Sequence, residues 1–144
     1  MIIQTRIGER EIDESAVIQF PHGLIGLDED NEFVLLTIQE ESPFLLLQSL
    51  HKPELGLLVS DPYSFLPDYK VRLDGGQKKT LQLEEGDETA LLVTVSIPDG
   101  RPEEMALNLT GPIVINPTKK CGVQVVLTDQ KMPSHFKPMQ DAKA

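Results

Sequence analysis

The sequence predicts an all-β fold: one compact, antiparallel, β-barrel-like domain with very little helix. Three observations carry this prediction. Short apolar runs are bounded by turn residues, other segments alternate apolar and polar positions, and eleven prolines and ten glycines divide the 144 residues. Short strands separated by turns about every 8–12 residues are typical of β-sandwiches and β-barrels.

Each predicted strand depends on one of two patterns. Alternating segments place every second side chain in a core and predict half-buried strands; these are residues 71–73, 80–84 and 105–109. Runs that are apolar on both faces predict strands covered on both sides; these are residues 33–38, 44–47, 57–59, 90–95, 113–115 and 123–127. We expect about ten strands in all.

Helix is expected only in short turns, near residues 28–31, 63–66 and 86–88. The stretch 75–80 lacks the full phosphate-loop pattern, so we interpret it as a hairpin turn with its lysines facing solvent. Residues 1–130 form the predicted partner-binding domain. Residues 131–144 contain two prolines and no periodicity, which predicts a flexible C-terminal tail.

Nothing in the sequence predicts membrane insertion or secretion. The longest apolar run has four residues, far below the roughly 20 that span a bilayer as a helix, and the N-terminus mixes charge into its apolar pattern. Cys121 is the only cysteine, so no internal disulfide forms and a reducing compartment is favoured. We expect a cytoplasmic protein that is monomeric when free.

The formal net charge of −10 is concentrated in the body of the chain. Residues 1–48 hold ten acids and two bases, residues 49–114 hold eleven and six, and residues 115–144 hold two acids and five lysines. One interpretation is that this charge serves solubility; the other is that an acidic face attracts a basic partner. Direct binding of nucleic acid or of an anionic membrane is disfavoured, because their phosphates would be repelled.

No catalytic, metal-binding or cofactor-binding residue is predicted. His22, His51 and His135 are far apart in the sequence and lack metal-ligand spacing with one another or with Cys121. Cys121 follows two lysines, but no histidine is sequence-linked to it, so a buried small side chain is the better interpretation. The acidic clusters lack the ordered ligand pattern of a calcium loop. We expect a protein that is not an enzyme.

The most informative segment is residues 43–69, in which two predicted strands lead into a corner at residues 61–69. The corner has two prolines, which predict tight turns, and it carries aromatic side chains and carboxylates without a nucleophile–base pair. A rigid corner of this composition is suited to binding a macromolecule, because aromatic side chains dominate interface anchors. The side chains concerned are Asp61, Tyr63, Phe65, Asp68 and Tyr69.

Five segments, in this order, resemble the flagellar assembly factor FliW family. They are FPHGLIGL at residues 20–27, PFLLLQS at 43–49, LVSDPYSFLPDY at 58–69, NLTGPIVIN at 108–116 and QVVL at 124–127. Each segment alone is ordinary, but their order across nearly the whole of residues 1–130 is specific. The family usually has an aromatic residue at Leu27 and often an alanine at Gly111, departures that concern local packing only.

The resemblance implies the compact antiparallel fold, no enzymatic activity and two alternative protein partners. One is flagellin, held in the cytoplasm through its C-terminal helical region. The other is CsrA, a homodimeric RNA-binding translational regulator that represses flagellin mRNA. Export of flagellin would free the protein to capture CsrA, so that translation resumes. Capture would either imitate RNA in the CsrA groove or act allosterically from beside it, and the family resembles the second kind.

Candidate partner-binding residues follow from the expected chemistry of each partner. An amphipathic helix of flagellin needs an apolar groove. The candidate lining is Tyr63, Phe65, Leu66 and Tyr69. Exposed acids complement a basic partner such as CsrA. The candidates are Asp68, Glu84, Glu85, Asp87 and Glu88. The alternatives are that Phe65 and Tyr69 cap the barrel core, and that the acids form a solvated loop.

Two other classes of function are open to the sequence. The first is an acidic β-barrel that binds single-stranded nucleic acid directly, since small barrels of similar size bind single strands. The second is a small hydrolase or sugar-binding enzyme that uses Asp61 and Asp68 as paired carboxylates. The acidic body argues against the first class, and the missing catalytic constellation argues against the second.

Overall fold

The computed structural model describes residues 1–26, 30–127 and 136–138. Within these residues the chain forms ten strands and one short α-helix, together with four single turns of 3₁₀-helix. The strands are β1 (Ile2–Thr5), β2 (Gly8–Glu11), β3 (Ile18–Gln19), β4 (Glu32–Thr37), β5 (Phe44–Ser49), β6 (Gly56–Ser60), β7 (Ala90–Ser96), β8 (Ala106–Leu107), β9 (Ile113–Asn116) and β10 (Cys121–Gln124). The helix is α1 (Gly75–Thr80), and the 3₁₀ turns are Glu14–Ala16, Pro62–Ser64, Pro98–Gly100 and Pro102–Glu104.

Seven of these strands close into a barrel. The sheet runs in the order β6-β5-β4-β3-β10-β9-β7, and β6 pairs again with β7 to complete the ring, while β8 extends from β7. The pairings are antiparallel except between β3 and β10, which meet in parallel at Gln19 and Cys121 only. The predicted all-β, barrel-like fold with very little helix is therefore confirmed, with this one parallel pairing as an exception.

The first two strands form a separate hairpin on the outside of the barrel. Strands β1 and β2 pair only with each other among the described strands, and all four residues of β2 are exposed. On β1, Ile3 is buried and packs with Ile12 and Val34 in a small apolar cluster. The hairpin is therefore attached through one face, and its acidic β2 face is turned to solvent.

The barrel interior is filled by aliphatic and phenylalanine side chains in two main clusters. Phe20 and Phe33 are fully buried and meet edge to face, with ring centroids 5.5 Å apart. Leu47, Val59 and Ile113 are likewise fully buried in the same cluster. Each such side chain contributes about 1.5–3 kcal/mol by leaving water, so the apolar runs of the sequence stabilise the barrel directly.

The segment 75–83 differs from its prediction. Residues 75–80 form α1 instead of a hairpin turn, and the strand expected at residues 80–84 is absent from this described part of the chain. The reason is a capping box: the Asp74 carboxylate accepts from the Gln77 N–H at 2.7 Å, and the Gln77 side chain accepts from the Asp74 N–H at 2.8 Å. Leu81 then enters the core, where it is fully buried.

Other local predictions have mixed outcomes. The turn near residues 63–66 is present as Pro62–Ser64, whereas residues 86–88 lie in a turn without a helix. The strand expected at residues 71–73 keeps its alternation of exposure but pairs with no described strand. The strand expected at 105–109 shortens to β8. The turn expected at residues 28–31 lies largely outside the described residues.

Part of the predicted tail is held against the barrel. Phe136 is buried in the core cluster, and its backbone exchanges hydrogen bonds of 2.7 and 2.9 Å with Leu107. Lys137 forms an ion pair of 3.0 Å with Glu104. At residues 136–138 the chain is thus anchored where the sequence predicts a flexible tail, because the Phe136 ring finds an apolar site. The rest of the predicted tail lies outside the described residues.

Within the described ranges, no helix is long and apolar enough to cross a membrane.

Candidate functional site

The corner at residues 61–69 is a rigid turn. Asp61 caps the 3₁₀ turn by accepting a hydrogen bond of 2.8 Å from the Tyr63 N–H, and Pro62 occupies the first position of the turn. The Pro62 carbonyl then accepts from the N–H groups of Phe65 and Leu66 at 3.1 and 2.8 Å. The sequence folds locally in this way because proline presets the backbone and aspartate satisfies the free N–H.

The three aromatic side chains of the corner have different surroundings. Tyr63 is 44% exposed, whereas Phe65 is half-buried and stacks on Phe44 at a centroid distance of 6.4 Å. Tyr69 is only 4% exposed, and its hydroxyl donates a hydrogen bond of 2.6 Å to the Leu109 carbonyl. Burial raises the pKa of Tyr69 to about 12. Tyr69 therefore belongs to the core, and of the three rings only Tyr63 is open to a partner.

A shallow cavity lies on the outer side of the corner. Its volume is about 260 Å³, and its lining is Leu66, Pro67, Asp68 and Tyr69. Leu66 is half-buried and Asp68 is exposed, so the cavity combines an aliphatic wall with a carboxylate. The structure thus brings together three of the candidate residues, with Tyr69 supplying only the small part of its surface that the core leaves uncovered.

The acidic loop, residues 84–88, is fixed to the barrel through Asp87. One Asp87 carboxylate oxygen, Oδ2, accepts from the Glu84 N–H at 3.1 Å, from the Asn116 amide at 3.2 Å and from Lys119 Nζ at 3.4 Å. The Glu84 N–H, followed by the Asn116 amide and Lys119, holds the pKa of Asp87 below its ordinary value. Asp87 is therefore an internal anchor of the loop.

The other acids of the loop differ in how freely they are presented. Glu84 is exposed but lies 3.3 Å from Lys119 Nζ. Glu85 and Glu88 are exposed and form no hydrogen bond or ion pair with any residue that the structure describes. The loop accordingly offers two uncompensated carboxylates to an incoming basic surface.

The side chains weighed for catalysis or metal binding have other surroundings in the described residues. The described part of the chain holds no group of three or more His, Cys, Asp and Glu side chains placed to bind a metal ion. His51 pairs with Glu32 at 2.7 Å, His22 contacts Thr80 at 3.4 Å, and His135 lies outside the described residues. Cys121 is buried, and burial raises the pKa of its thiol. Asp61 is occupied as a helix cap.

Sequence reasoning missed a larger, mostly apolar groove of about 460 Å³, whose lining shares no residue with the corner cavity. Its lining is Leu24, Ile25, Leu57, Thr94, Asn108, Thr110, Gly111, Gln124 and Val126. The Gln124 side chain holds it together, since it accepts from the Ile25 N–H at 2.9 Å and donates to the Gly111 carbonyl at 2.9 Å. Residues 25 and 124 are 99 positions apart, so no local pattern in the sequence predicts this groove.

Comparison with known families gives one match over nearly the whole chain. The sequence profile described as "FliW protein" matches residues 1–138. Among curated relatives, the "Flagellar assembly factor FliW" of Nitratidesulfovibrio vulgaris (strain DP4) is 52% identical over 134 residues, covering 93% of this chain and 78% of the relative. The protein of the same name from Desulfovibrio desulfuricans is 48% identical over 125 residues, covering 85% and 75% respectively.

A solved structure agrees with the fold described above. The chain is similar to the crystal structure of the flagellar assembly factor FliW, with a TM-score of 0.88 and 33% sequence identity over 96% of both chains. A more distant curated relative of the same name, from Geobacillus kaustophilus, is 38% identical over 122 residues, or 85% of this chain and 83% of the relative.

Proposed function

The chain belongs to the FliW family of flagellar assembly factors, and from that premise we propose that it binds flagellin and, alternatively, the translational regulator CsrA. Binding CsrA antagonises its repression of flagellin mRNA, and binding flagellin releases CsrA. The observation that carries the proposal is the match of residues 1–138 to the family. The protein acts by occupying its partners, so we propose that it is cytoplasmic, monomeric when free and not an enzyme.

For flagellin, the proposed contact surface is the outer side of the corner. Tyr63 is the exposed aromatic anchor, and Leu66 with Asp68 lines the adjacent cavity of about 260 Å³. An amphipathic helix buries apolar side chains in such a surface. Phe65 and Tyr69 support the corner from inside, since Phe65 packs on Phe44 and Tyr69 is bonded to Leu109.

For CsrA, the proposed contacts are the exposed carboxylates Asp68, Glu85 and Glu88, with Glu84 partly compensated by Lys119. Asp87, the remaining candidate, is bonded to Asn116 and Lys119, so its proposed role is to hold the loop in place. Opposite charge on the two surfaces raises the rate of encounter and selects against wrong partners. An RNA-binding protein supplies the basic surface that this requires.

The first experiment mixes the purified protein with purified flagellin and CsrA and measures binding by calorimetry. We expect each partner to bind and to displace the other. The charge variant Glu85→Gln/Glu88→Gln should weaken CsrA binding at least about fivefold, since each rim charge mainly changes association. The matched control, Glu9→Gln/Glu11→Gln, removes two exposed acids of β2 and should leave the affinity within about twofold.

Three results would contradict the proposal. The first is that flagellin and CsrA bind at the same time without competition. The second is that the loop variant and the β2 variant lose equal affinity for CsrA. The third is that the protein alone shifts single-stranded RNA in a native gel at low salt. RNA capture by CsrA, titrated at a series of increasing concentrations of this protein, separates the two modes of antagonism. Competition raises the RNA concentration needed for half-binding without limit, whereas an allosteric partner raises it to a plateau.

A further inference from the structure

The groove of about 460 Å³ described above lies at one open end of the barrel, and it is called here the barrel-end groove. Of its lining residues, Leu57 lies two positions before the buried Val59 on β6, and Thr94 of β7 is paired with Val59. Gln124 is paired with the buried Ile113. Because alternate residues of a strand share one face, these three side chains point into the barrel. The groove is therefore continuous with the barrel interior, at the end where β9 begins and β10 ends.

The lining of the barrel-end groove is aliphatic or neutral. Leu24 is buried in the interior cluster, whereas Ile25 and Val126 are 59% and 56% exposed. None of the described lining residues is charged or aromatic. An ion that entered the groove would lose hydration without gaining an opposite charge. The groove therefore selects an uncharged, mainly apolar molecule.

Two polar side chains of the lining have unused hydrogen-bonding groups. Asn108 Oδ1 accepts from the N–H and the hydroxyl of Thr110 at 3.1 and 2.8 Å. The side-chain amide nitrogen of Asn108 and the hydroxyl of Thr94 form no hydrogen bond with any residue that the structure describes. Because the turn fixes Oδ1, the amide nitrogen of Asn108 is a donor in a fixed position. A carbonyl oxygen is the acceptor that complements it.

We propose that the barrel-end groove binds one small, uncharged, mainly apolar molecule that carries a carbonyl oxygen. The carbonyl accepts a hydrogen bond from the Asn108 amide, and the hydrocarbon part packs on Leu24 and Leu57. The volume of about 460 Å³ lies within the roughly 300–1,000 Å³ of small-molecule sites. Such sites are lined mainly by apolar side chains with a few polar groups, and the mouths of β-barrels are among their preferred positions.

The residue types of the lining favour a small molecule over a protein segment. The anchors of protein interfaces are enriched in tryptophan, tyrosine and arginine, whereas leucine, threonine and valine are under-represented among them. The described lining consists of leucine, isoleucine, valine and threonine, together with asparagine, glutamine and glycine. The corner at residues 61–69, with its exposed Tyr63, has the opposite character.

The inference goes beyond the proposed function. The groove shares no lining residue with the corner cavity. The acidic loop is bonded to Asn116, the last residue of β9, whereas the groove lies where β9 begins. Binding of a small molecule is measured without flagellin or CsrA, so its failure leaves the experiments on those partners unaffected.

The test compares four probes that share one naphthalene ring system. 2-Acetylnaphthalene carries the carbonyl, 2-ethylnaphthalene lacks it, and 2-naphthoate and 2-naphthylmethylammonium carry opposite charges. Binding to the full chain is followed by backbone amide chemical shifts. We expect the ketone to shift the amides of Ile25, Gly111 and Val126. It should bind about fivefold more tightly than the ethyl compound, because it gains one hydrogen bond, and at least about tenfold more tightly than either ion.

Three variants identify the contacts. Asn108→Ala removes the donor and should weaken the ketone at least about fivefold, while 2-ethylnaphthalene changes less than about twofold. Val126→Asp places a charge at the exposed rim and should weaken both uncharged probes at least about fivefold. The matched control, Ile2→Asp, changes an aliphatic residue that is 63% exposed and lies outside the groove lining. It should change neither affinity by more than about twofold.

The proposal is overturned if no probe binds, if either ion binds as tightly as the ketone, or if the shifted amides lie away from the groove. It is also overturned if Asn108→Ala weakens the two uncharged probes equally, or if Ile2→Asp has the effect of Val126→Asp. A protein occupant is the remaining outcome. If flagellin or CsrA displaces the ketone from the groove, or if nuclear Overhauser contacts place a segment of the chain itself there, the groove is a protein contact and the proposal is wrong.

Discussion

The two tyrosines of the corner differ in exposure, because one lies at the surface and the other in the core. Tyr63 and Tyr69 are six positions apart, yet one is 44% exposed and the other 4%. The difference comes from the partner of the hydroxyl group. Tyr69 bonds the Leu109 carbonyl, so its ring is buried without leaving a polar group unsatisfied. The Tyr63 hydroxyl lies at an open surface, where water serves equally well.

The first prediction concerns stability at high pH. Burial raises the pKa of Tyr69 to about 12 from 10.0, so the unfolded chain ionises first as pH increases. The contribution of the Tyr69 hydroxyl to the free energy of unfolding is therefore complete below pH 10. It is lost as pH rises towards 12, which lowers the free energy of unfolding by roughly 2–3 kcal/mol. Urea unfolding of the wild type and of Tyr69→Phe across this range measures it.

The Tyr69→Phe variant should be less stable at neutral pH by about 1–3 kcal/mol, because the buried Leu109 carbonyl loses its donor. The gap between the two proteins should then narrow above pH 10, since the variant has no group to ionise there. Tyr63→Phe is the control and should follow the wild-type profile. A gap that stays constant up to pH 12 would contradict the assigned role of Tyr69.

At the scale of the secondary-structure element, the segment between α1 and the acidic loop is organised by one buried side chain. Asn116, at the end of β9, is fully buried. It donates to the Leu81 carbonyl at 2.8 Å and to Asp87 at 3.2 Å, and it accepts from the N–H groups of Thr118 and Lys119. The segment between α1 and β7 and the turn that follows β9 are therefore joined at one amide.

The second prediction is that Asn116→Ala destabilises the protein by about 2–4 kcal/mol, because it leaves the buried Leu81 carbonyl without this donor. Thermal and urea unfolding measure the loss. Asn108→Ala is the matched control: its side chain bonds only within the local turn to Thr110, and we expect a cost of about 1 kcal/mol or less. Equal costs at the two positions would refute the role of Asn116 as a junction.

The third prediction concerns two glycines in different elements. A Cβ at Gly122 of β10 would lie 2.5 Å from the Phe20 ring, which is fully buried, whereas a Cβ at Gly75 of α1 meets open space. Gly122→Ala should cost about 1–3 kcal/mol through overpacking. Gly75→Ala should be neutral or stabilising by up to about 1 kcal/mol. The free energies of unfolding of the two variants test this prediction. If Gly122→Ala costs no stability, the Phe20 ring can move aside and the prediction is wrong.

Elements with a strong local pattern were predictable from the sequence, and those set by distant partners were not. The apolar runs of β5, β6 and β7 determine their own strands, because burial on both faces leaves them no exposed alternative. Residues 80–84 alternate equally well but have no strand to pair with. The capping box at Asp74 and Gln77 was visible in the sequence and is the pattern that identifies α1.

The candidate site was predictable in its position but not in its details. Prolines and aspartates fix the turn at residues 61–66, which the structure retains. That Tyr69 turns inward depends on the carbonyl of Leu109, 40 positions away. That Asp87 is internal depends on Asn116 and Lys119. Side-chain partners across such separations leave no periodic pattern.

At the scale of the whole molecule, charge and architecture are distributed unequally. The barrel buries its apolar side chains inside the ring, while the outer hairpin, the acidic loop and the corner carry exposed acids. Within the described residues, cations are densest around residues 70–79, and a second pair stands at Lys119 and Lys120. A binding partner therefore meets surfaces of different charge on different sides of the protein. The charge distribution thus influences the orientation in which the partner binds as well as the strength of its attraction.

The fourth prediction is that the association rate with CsrA falls as salt increases. Between about 0.02 and 0.3 M salt we expect a decrease of roughly tenfold or more, because screening shortens the reach of the surface acids. Stopped-flow fluorescence at several salt concentrations measures the rate, and dissociation should change far less. A rate independent of salt would exclude electrostatic steering and leave the net charge as a matter of solubility.

The parallel contact between β3 and β10 has a consequence for how the protein is made. Gln19 and Cys121 provide the one strand pairing that the structure describes along that seam, and these two residues are about a hundred positions apart in the chain. During synthesis β3 can pair with β4 on one edge, but its other edge lacks β10 until residue 121 has left the ribosome. The closed ring, and every surface that depends on it, therefore cannot form before β10 is available to pair with β3.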